Sequence, residues 1–225
     1  MHFVPVGHTK ETLLESLRHY PLSRVILLLG DNPKLEPEQK ARTIAKQLKD
    51  DLGSIPSEEF YVDTDDIPKA ALAIAERMKQ EKEAGNEVMV NLSGSLRSIG
   101  LAAYMAALAV QVKAYIGLPK YEGDKITGVR QVINAPLFPL KPLSSEKVKI
   151  LRIIRKAEQK MEDLILKTNP KLKKSSQDYL NERSRLSHHL KDLKEDGFIE
   201  TEKKGKNITI RLTPLGKIYM EGLGK

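Results

Sequence analysis

A mainly parallel α/β sheet followed by a smaller, basic helical module is the fold that this 225-residue sequence predicts. Three observations carry the expectation. Short apolar runs alternate four times with helical stretches; one of these runs, RVILLLG, is apolar throughout; and a proline-rich stretch separates the alternating part from a different C-terminal grammar. Strands that are apolar on both faces belong to parallel sheets covered by helices on each side. Successive strand–helix units return by right-handed crossovers, which leaves neighbouring strands parallel.

The elements follow in order. HFVPV is the first strand, and KETLLESLRHY has helical apolar spacing. RVILLLG is the second strand. EPEQKARTIAKQLKDDLG is an amphipathic helix opened by acids and closed near Gly53. EEFYVD is the third strand, and IPKAALAIAERMKQEKEAG is a helix with Pro68 in its first turn and Gly85 past its end. EVMVNL is the fourth strand, and Ser95 to Val112 is mostly a buried helix. VKAYIGL is the fifth strand, and TGVRQVI is a sixth, with PKYEGDK as a hairpin loop between them. A Rossmann-like open sheet over residues 1–134 is the simplest arrangement. Ligands of such sheets bind outside the carboxyl ends of the strands, where strand order reverses. The loops to inspect are Gly7-His8-Thr9, Gly30-Asp31-Asn32, Asp63-Thr64-Asp65-Asp66 and Ser93-Gly94-Ser95.

The three prolines of NAPLFPLKPL cannot continue a helix or a central strand, which places a linker at residues 135–143 and a second domain at 144–225. In that domain SSEKVKILRIIRKAEQKMEDLIL reads as one helix with Ser145 as its cap. YLNERSRLSHHLKDLKEDGFIE puts Leu186, Leu190 and Leu193 on one helical face and stops at Gly197. FIETE and NITIRLT are strands around KKGK, and PLGKIYMEGL is a closing helix. The order resembles a winged helix-turn-helix whose recognition helix carries S-x-L-S-x-H-L-x-x-L-x-x-x-G-[FL]-[IV]. Ser184, Leu186, Ser187, His189, Leu190, Leu193, Gly197, Phe198 and Ile199 match that pattern.

Charge distribution agrees. Residues 141–225 hold 21 Lys and Arg against 12 Asp and Glu, whereas the first 140 hold 17 against 18, so the whole net charge of +8 lies in the C-terminal part. Such asymmetry suits a polyanionic partner. A major groove accepts one helix, whose outward side chains reach base edges, while basic side chains meet phosphates. The residues expected on double-stranded DNA are Arg183, Arg185, Ser187, His188 and Lys191 from the helix, and Lys203, Lys204 and Lys206 from the wing. Singly, each lysine is equally explained as a solvated surface charge.

The stretch VNLSGSLRSIG brings a strand tip, small residues, a helix start and an arginine together. Helix N-terminal N–H groups and the helix dipole favour an anion there, and Arg97 adds a planar donor fork suited to phosphate. Ser93, Ser95 and Ser98 add hydroxyls. The stretch is not a P-loop, a dinucleotide fingerprint or a nucleophile elbow; a tight turn with a serine cap explains it as well as an anion site does. Asn91, Ser93, Gly94 and Arg97 also match Asn-x-Thr/Ser-Gly-Gly-x-Arg/Lys, with Ser95 in place of the second glycine. With VGHT after the first strand and a winged helix behind, the chain resembles the CRISPR-associated Rossmann-fold (CARF) regulators. The resemblance implies a homodimer, a cyclic oligoadenylate ligand (most often the tetramer), and ligand contacts at Gly7, His8, Thr9, Asn91, Ser93, Gly94, Ser95, Arg97 and Ser98. It implies a ligand-responsive transcription regulator of a CRISPR-Cas system. The alternatives are a ring nuclease, with His8 as acid or base, and a regulator that senses another phosphorylated small molecule.

The remaining expectations are exclusions. There is no cysteine, hence no disulfide framework or thiolate metal site, in keeping with a cytoplasmic protein. The acids at Asp63, Asp65 and Asp66 cap a helix, no metal or other cofactor is expected, and no catalytic residue is assigned. The N-terminus has no signal-peptide pattern, and the longest apolar stretch falls short of the roughly 20 residues that a bilayer requires, so no membrane partner is expected.

Overall fold

The structure is a computed structural model that describes residues 1–94, 97–138, 142–204 and 207–222. The chain divides into two compact units, Met1–Leu140 and Lys141–Lys225. The first contains β1 (His2–Pro5), α1 (Lys10–Leu17), β2 (Val25–Gly30), α2 (Glu36–Leu52), β3 (Ser57–Val62), α3 (Ile67–Glu83), β4 (Met89–Asn91), α4 (Arg97–Val110), β5 (Lys113–Glu122) and β6 (Lys125–Ala135). The strand order is β3-β2-β1-β4-β5-β6, with β6 alone antiparallel to its neighbour. This is a Rossmann-like sheet, and its order reverses between β1 and β4.

Side-chain alternation divides the core between the two faces. Val4, Leu27 and Leu29 meet Leu13, Leu17, Ala41, Ala45 and Leu48 from α1 and α2. Their strand neighbours Phe3, Ile26, Leu28 and Val90 meet Ile74, Met78, Ala102, Ala103 and Ala106 from α3 and α4. All six residues of β2 are buried, which is why that strand shows no polar alternation. Each fully buried leucine or isoleucine contributes about 1.5–3 kcal/mol relative to exposure. The stretch PKYEGDK is not a long loop: β5 and β6 continue through it to a turn at Gly123-Asp124, where Gly123 adopts φ +62°. That value suits the first position of a two-residue hairpin turn. Pro119 is accommodated at a register shift in the edge ladder.

The second unit contains α5 (Ser145–Lys156), β7 (Gln159–Lys160), α6 (Met161–Thr168), α7 (Gln177–Glu195), β8 (Ile199–Lys204), β9 (Asn207–Leu212) and α8 (Pro214–Gly222). It is a winged helix, with sheet order β7-β9-β8. The single helix expected from residue 145 onward is broken after Lys156. Ala157 is extended, and Gln159 is buried and pairs with Ile210, so two residues join the wing sheet instead. The helix cap is Ser144 rather than Ser145; its hydroxyl accepts from the Lys147 N–H at 3.3 Å. At the end of α7, Gly197 has φ +76°, and the Phe198 N–H reaches the Leu193 carbonyl at 2.9 Å. This left-handed closure starts the wing. Among the described residues no helix is long and apolar enough to cross a membrane.

Candidate ligand and nucleic-acid sites

The loops after β1 and β4 meet at the point where strand order reverses. A Cβ on Gly94 would lie 3.2 Å from the Thr9 carbonyl oxygen and 3.1 Å from Leu13 Cγ, so a side chain there would have to push its neighbours back by a few tenths of an ångström. Gly7 is buried, Thr9 and Ser98 are half-buried, and His8 and Arg97 are exposed. Arg97 is the first residue of α4. Ser95 lies outside the described residues.

Asn91 and Ser93, both expected at the ligand, are joined in a hydrogen-bond network at the tip of β4. Asn91 is completely buried, and its amide donates to Ser16 Oγ at 2.8 Å. Its carbonyl oxygen accepts from the Ser93 N–H at 3.0 Å and from the Ser93 hydroxyl. The Ser93 hydroxyl in turn accepts from the Gly117 N–H at 2.7 Å, with Ser16 Oγ 2.9 Å away. These polar atoms fasten the β4 tip to α1 and β5. They position the loop.

His8 Nε2 lies 3.2 Å from the Pro37 carbonyl oxygen, which draws the β1 loop toward the start of α2. Beside it is a residue the sequence reading missed. Glu38, in the first turn of α2, is buried over Gly30, and its Oε2 lacks a hydrogen-bond partner. Burial raises its pKa above the usual carboxylate value. A glutamate in a helix's first turn reads as a dipole partner, so only the tertiary fold reveals the burial. Asp66, as expected, caps α3 by accepting from the Lys69 N–H at 3.0 Å. Among the described residues no group of acids and histidines has metal-binding geometry.

On the winged helix, α7 buries Tyr179, Leu186, Leu190 and Leu193. Arg183, Ser187, His188 and Lys191 are exposed, and Lys203 is exposed on β8. The Ser187 hydroxyl donates back to the Arg183 carbonyl at 2.8 Å, which leaves its oxygen outward. For Lys204 the backbone alone is described, opposite Asn207; Lys206 lies outside the described residues.

Arg185, expected on DNA, sits in an ion-pair network. It donates to Glu182 through Nε at 2.9 Å and Nη2 at 2.8 Å, and its Nη1 is paired with Glu146 of α5. Those contacts lower both carboxyl pKa values and raise that of the guanidinium. Arg185 and the neighbouring His189, whose Nε2 is 3.6 Å from Glu146, therefore face α5. Helical phase alone placed Arg185 off the leucine face; it did not show that α5 covers that side.

The family model described as HFX_2341_N-like, N-terminal, matches residues 1–122, and the DUF6293 C-terminal winged helix domain matches residues 143–223. An uncharacterized protein of Archaeoglobus fulgidus is 27% identical over 230 residues, spanning 100% of this chain and 98% of its own length. Among solved structures, Enterococcus italicus Csm6 bound to cyclic hexa-2'-fluoro-hexa-dAMP aligns with TM-score 0.47 and 12% identity, covering 86% of this chain and 55% of that one. Can2 from Sulfobacillus thermosulfidooxidans in complex with cyclic tetra-adenylate aligns with TM-score 0.42 and 11% identity, covering 98% of this chain and 63% of that one. The chain thus spans less than two thirds of either of those proteins.

Proposed function

We propose, from the premise that the chain belongs to the HFX_2341_N-like family, that it is a ligand-responsive DNA-binding regulator of a CRISPR-Cas system. The Rossmann-like unit binds a cyclic oligoadenylate, and the winged helix binds promoter duplex. The observation that supports this best is the contact of the β1 and β4 loops at Thr9 and Gly94, with Arg97 exposed beside it. A phosphodiester set between the two loops meets the first turn of α4 and a guanidinium at once. Winged-helix architecture and the basic C-terminal part support the DNA half.

A symmetric ring calls for a second copy of the site, so the working form in this reading is a homodimer in the cytoplasm. Arg97, Leu101 and Met105 recur every four residues on α4 and are exposed, Leu101 at 49% and Met105 at 40%. Pairing of two copies along that stripe would bring the two arginines to a common ligand. The reading is of binding without cleavage; His8, the residue weighed as acid or base, has Nε2 3.2 Å from the Pro37 carbonyl oxygen.

The test is incubation of the full chain with labelled cyclic tetra-adenylate, followed by separation of bound, free and linear species. Intact ring travelling with the protein supports the sensor. Linear product would make the chain a ring nuclease. Retention of another phosphorylated small molecule in preference to the ring would make it a different sensor. A mobility shift on its own upstream duplex, with and without the ring, reports whether the two units communicate.

A further inference from the structure

The outward face of α7 carries one large apolar side chain among polar ones. Leu180, Ser184, Ser187, His188 and Lys191 follow at spacings of one, three or four residues, and all are exposed. Leu180 is 54% exposed and is the one large apolar side chain among the exposed described residues of this helix. It lies in the first turn, which is held in place by Ser176: the serine hydroxyl accepts from the Tyr179 N–H at 3.2 Å. Asn181, also exposed, follows directly, with Gln177 Nε2 3.3 Å from its side-chain oxygen.

In a winged helix the N-terminal residues of the recognition helix stand closest to the base edges. The thymine methyl is the apolar group that base pairs display in the major groove, and asparagine matches adenine N6 and N7. We infer that Leu180 and Asn181 read one A·T pair, Leu180 by packing on the thymine methyl and Asn181 by hydrogen-bonding the adenine edge. Neither residue belongs to the set that sequence reasoning placed on DNA. The inference rests on the DNA-binding reading above. It adds a base identity to it: each half-site carries an A·T pair opposite the first turn of α7, and the basic residues Arg183 and Lys191 supply affinity that is blind to that pair.

The experiment uses the full chain and a duplex selected by it from a random library. Each thymine of that duplex is replaced in turn by deoxyuracil, which removes the methyl group alone. One position per half-site should weaken binding about fourfold, the value of one apolar carbon withdrawn from contact. Leu180→Ala should bind the two duplexes equally, and its melting temperature should match the parent because the side chain is exposed. The paired adenine, replaced by 7-deazaadenine, should weaken the parent chain and leave Asn181→Ala unaffected. A selected duplex indifferent to every deoxyuracil substitution overturns this assignment and leaves the DNA-binding reading intact. Equal loss by Leu180→Ala on all duplexes, matched or not, also overturns it. Recovery of no preferred duplex removes both readings together.

Discussion

The side-chain amide of Asn91 donates to the hydroxyl of Ser16 at 2.8 Å, joining the tip of β4 to the last turn of α1. Both residues are fully buried. Removal of Asn91 takes away one partner of the buried Ser16 hydroxyl and the acceptor of both the Ser93 N–H and its hydroxyl, and an unpaired buried group costs on the order of 1–3 kcal/mol. Asn91→Ala should therefore lower the unfolding free energy by about 2 kcal/mol or more, read from the urea midpoint. Ligand affinity should fall with it, because the loop that carries Arg97 is no longer held.

Arg97→Ala should show the opposite profile. The side chain is exposed and starts a helix, so the melting temperature should stay within experimental error. Loss of one charge-assisted hydrogen bond costs roughly 1.5–3 kcal/mol, which is a tenfold to hundredfold weakening of cyclic tetra-adenylate binding per site. Calorimetry would check it; unchanged affinity would remove the site assignment.

His2 makes stability depend on pH. It is fully buried, with Nε2 3.1 Å from the Pro21 carbonyl oxygen and Nδ1 2.8 Å from the Tyr115 hydroxyl. Burial holds its pKa at about 4, against 6.5 unfolded. The folded state thus excludes a proton that the unfolded chain takes up. The stabilisation is present above pH 6.5 and is lost as pH falls toward 4, by about 3 kcal/mol in total. Unfolding free energies measured across that interval should slope downward with acid, and His2→Gln should flatten the slope.

Arg185 and Lys191 separate structure from binding on one helix. Arg185→Ala should destabilise the winged helix by about 1 kcal/mol, as loss of a networked ion pair does, and leave base preference unaltered. Lys191→Ala should leave stability alone and reduce the salt dependence of DNA binding by about one unit of slope. Thermal melts and binding at several salt concentrations would distinguish them. Loss of sequence preference in Arg185→Ala would place that guanidinium on DNA after all.

Local pattern carried most of the architecture. The apolar run of β2, the acid-opened helices and the glycine stop at Gly197 depend on neighbours in sequence, and their elements stand where spacing placed them. What escaped depends on distant partners. The helix that ends at Lys156 continues by periodicity, and only the pairing of Gln159 with Ile210 cuts it. Asn91 and Ser93 carry the right atoms for an anion, yet Ser16 and Gly117 claim them from other elements. The partner of Arg185, Glu146, comes from α5 and is invisible to helical phase. Gly94 lies in one of the loops that the sheet order singled out, and the neighbour it approaches is Thr9.

Helix α4 places Arg97 and the apolar side chains of Leu101 and Met105 on a single rigid rod, one turn apart. If subunit pairing covers that rod, ring capture and self-association draw on the same surface and are thermodynamically linked. Dilution of the protein should then weaken its apparent grip on the ring, so its sensitivity in a cell would be set by its own abundance as well as by the alarm signal.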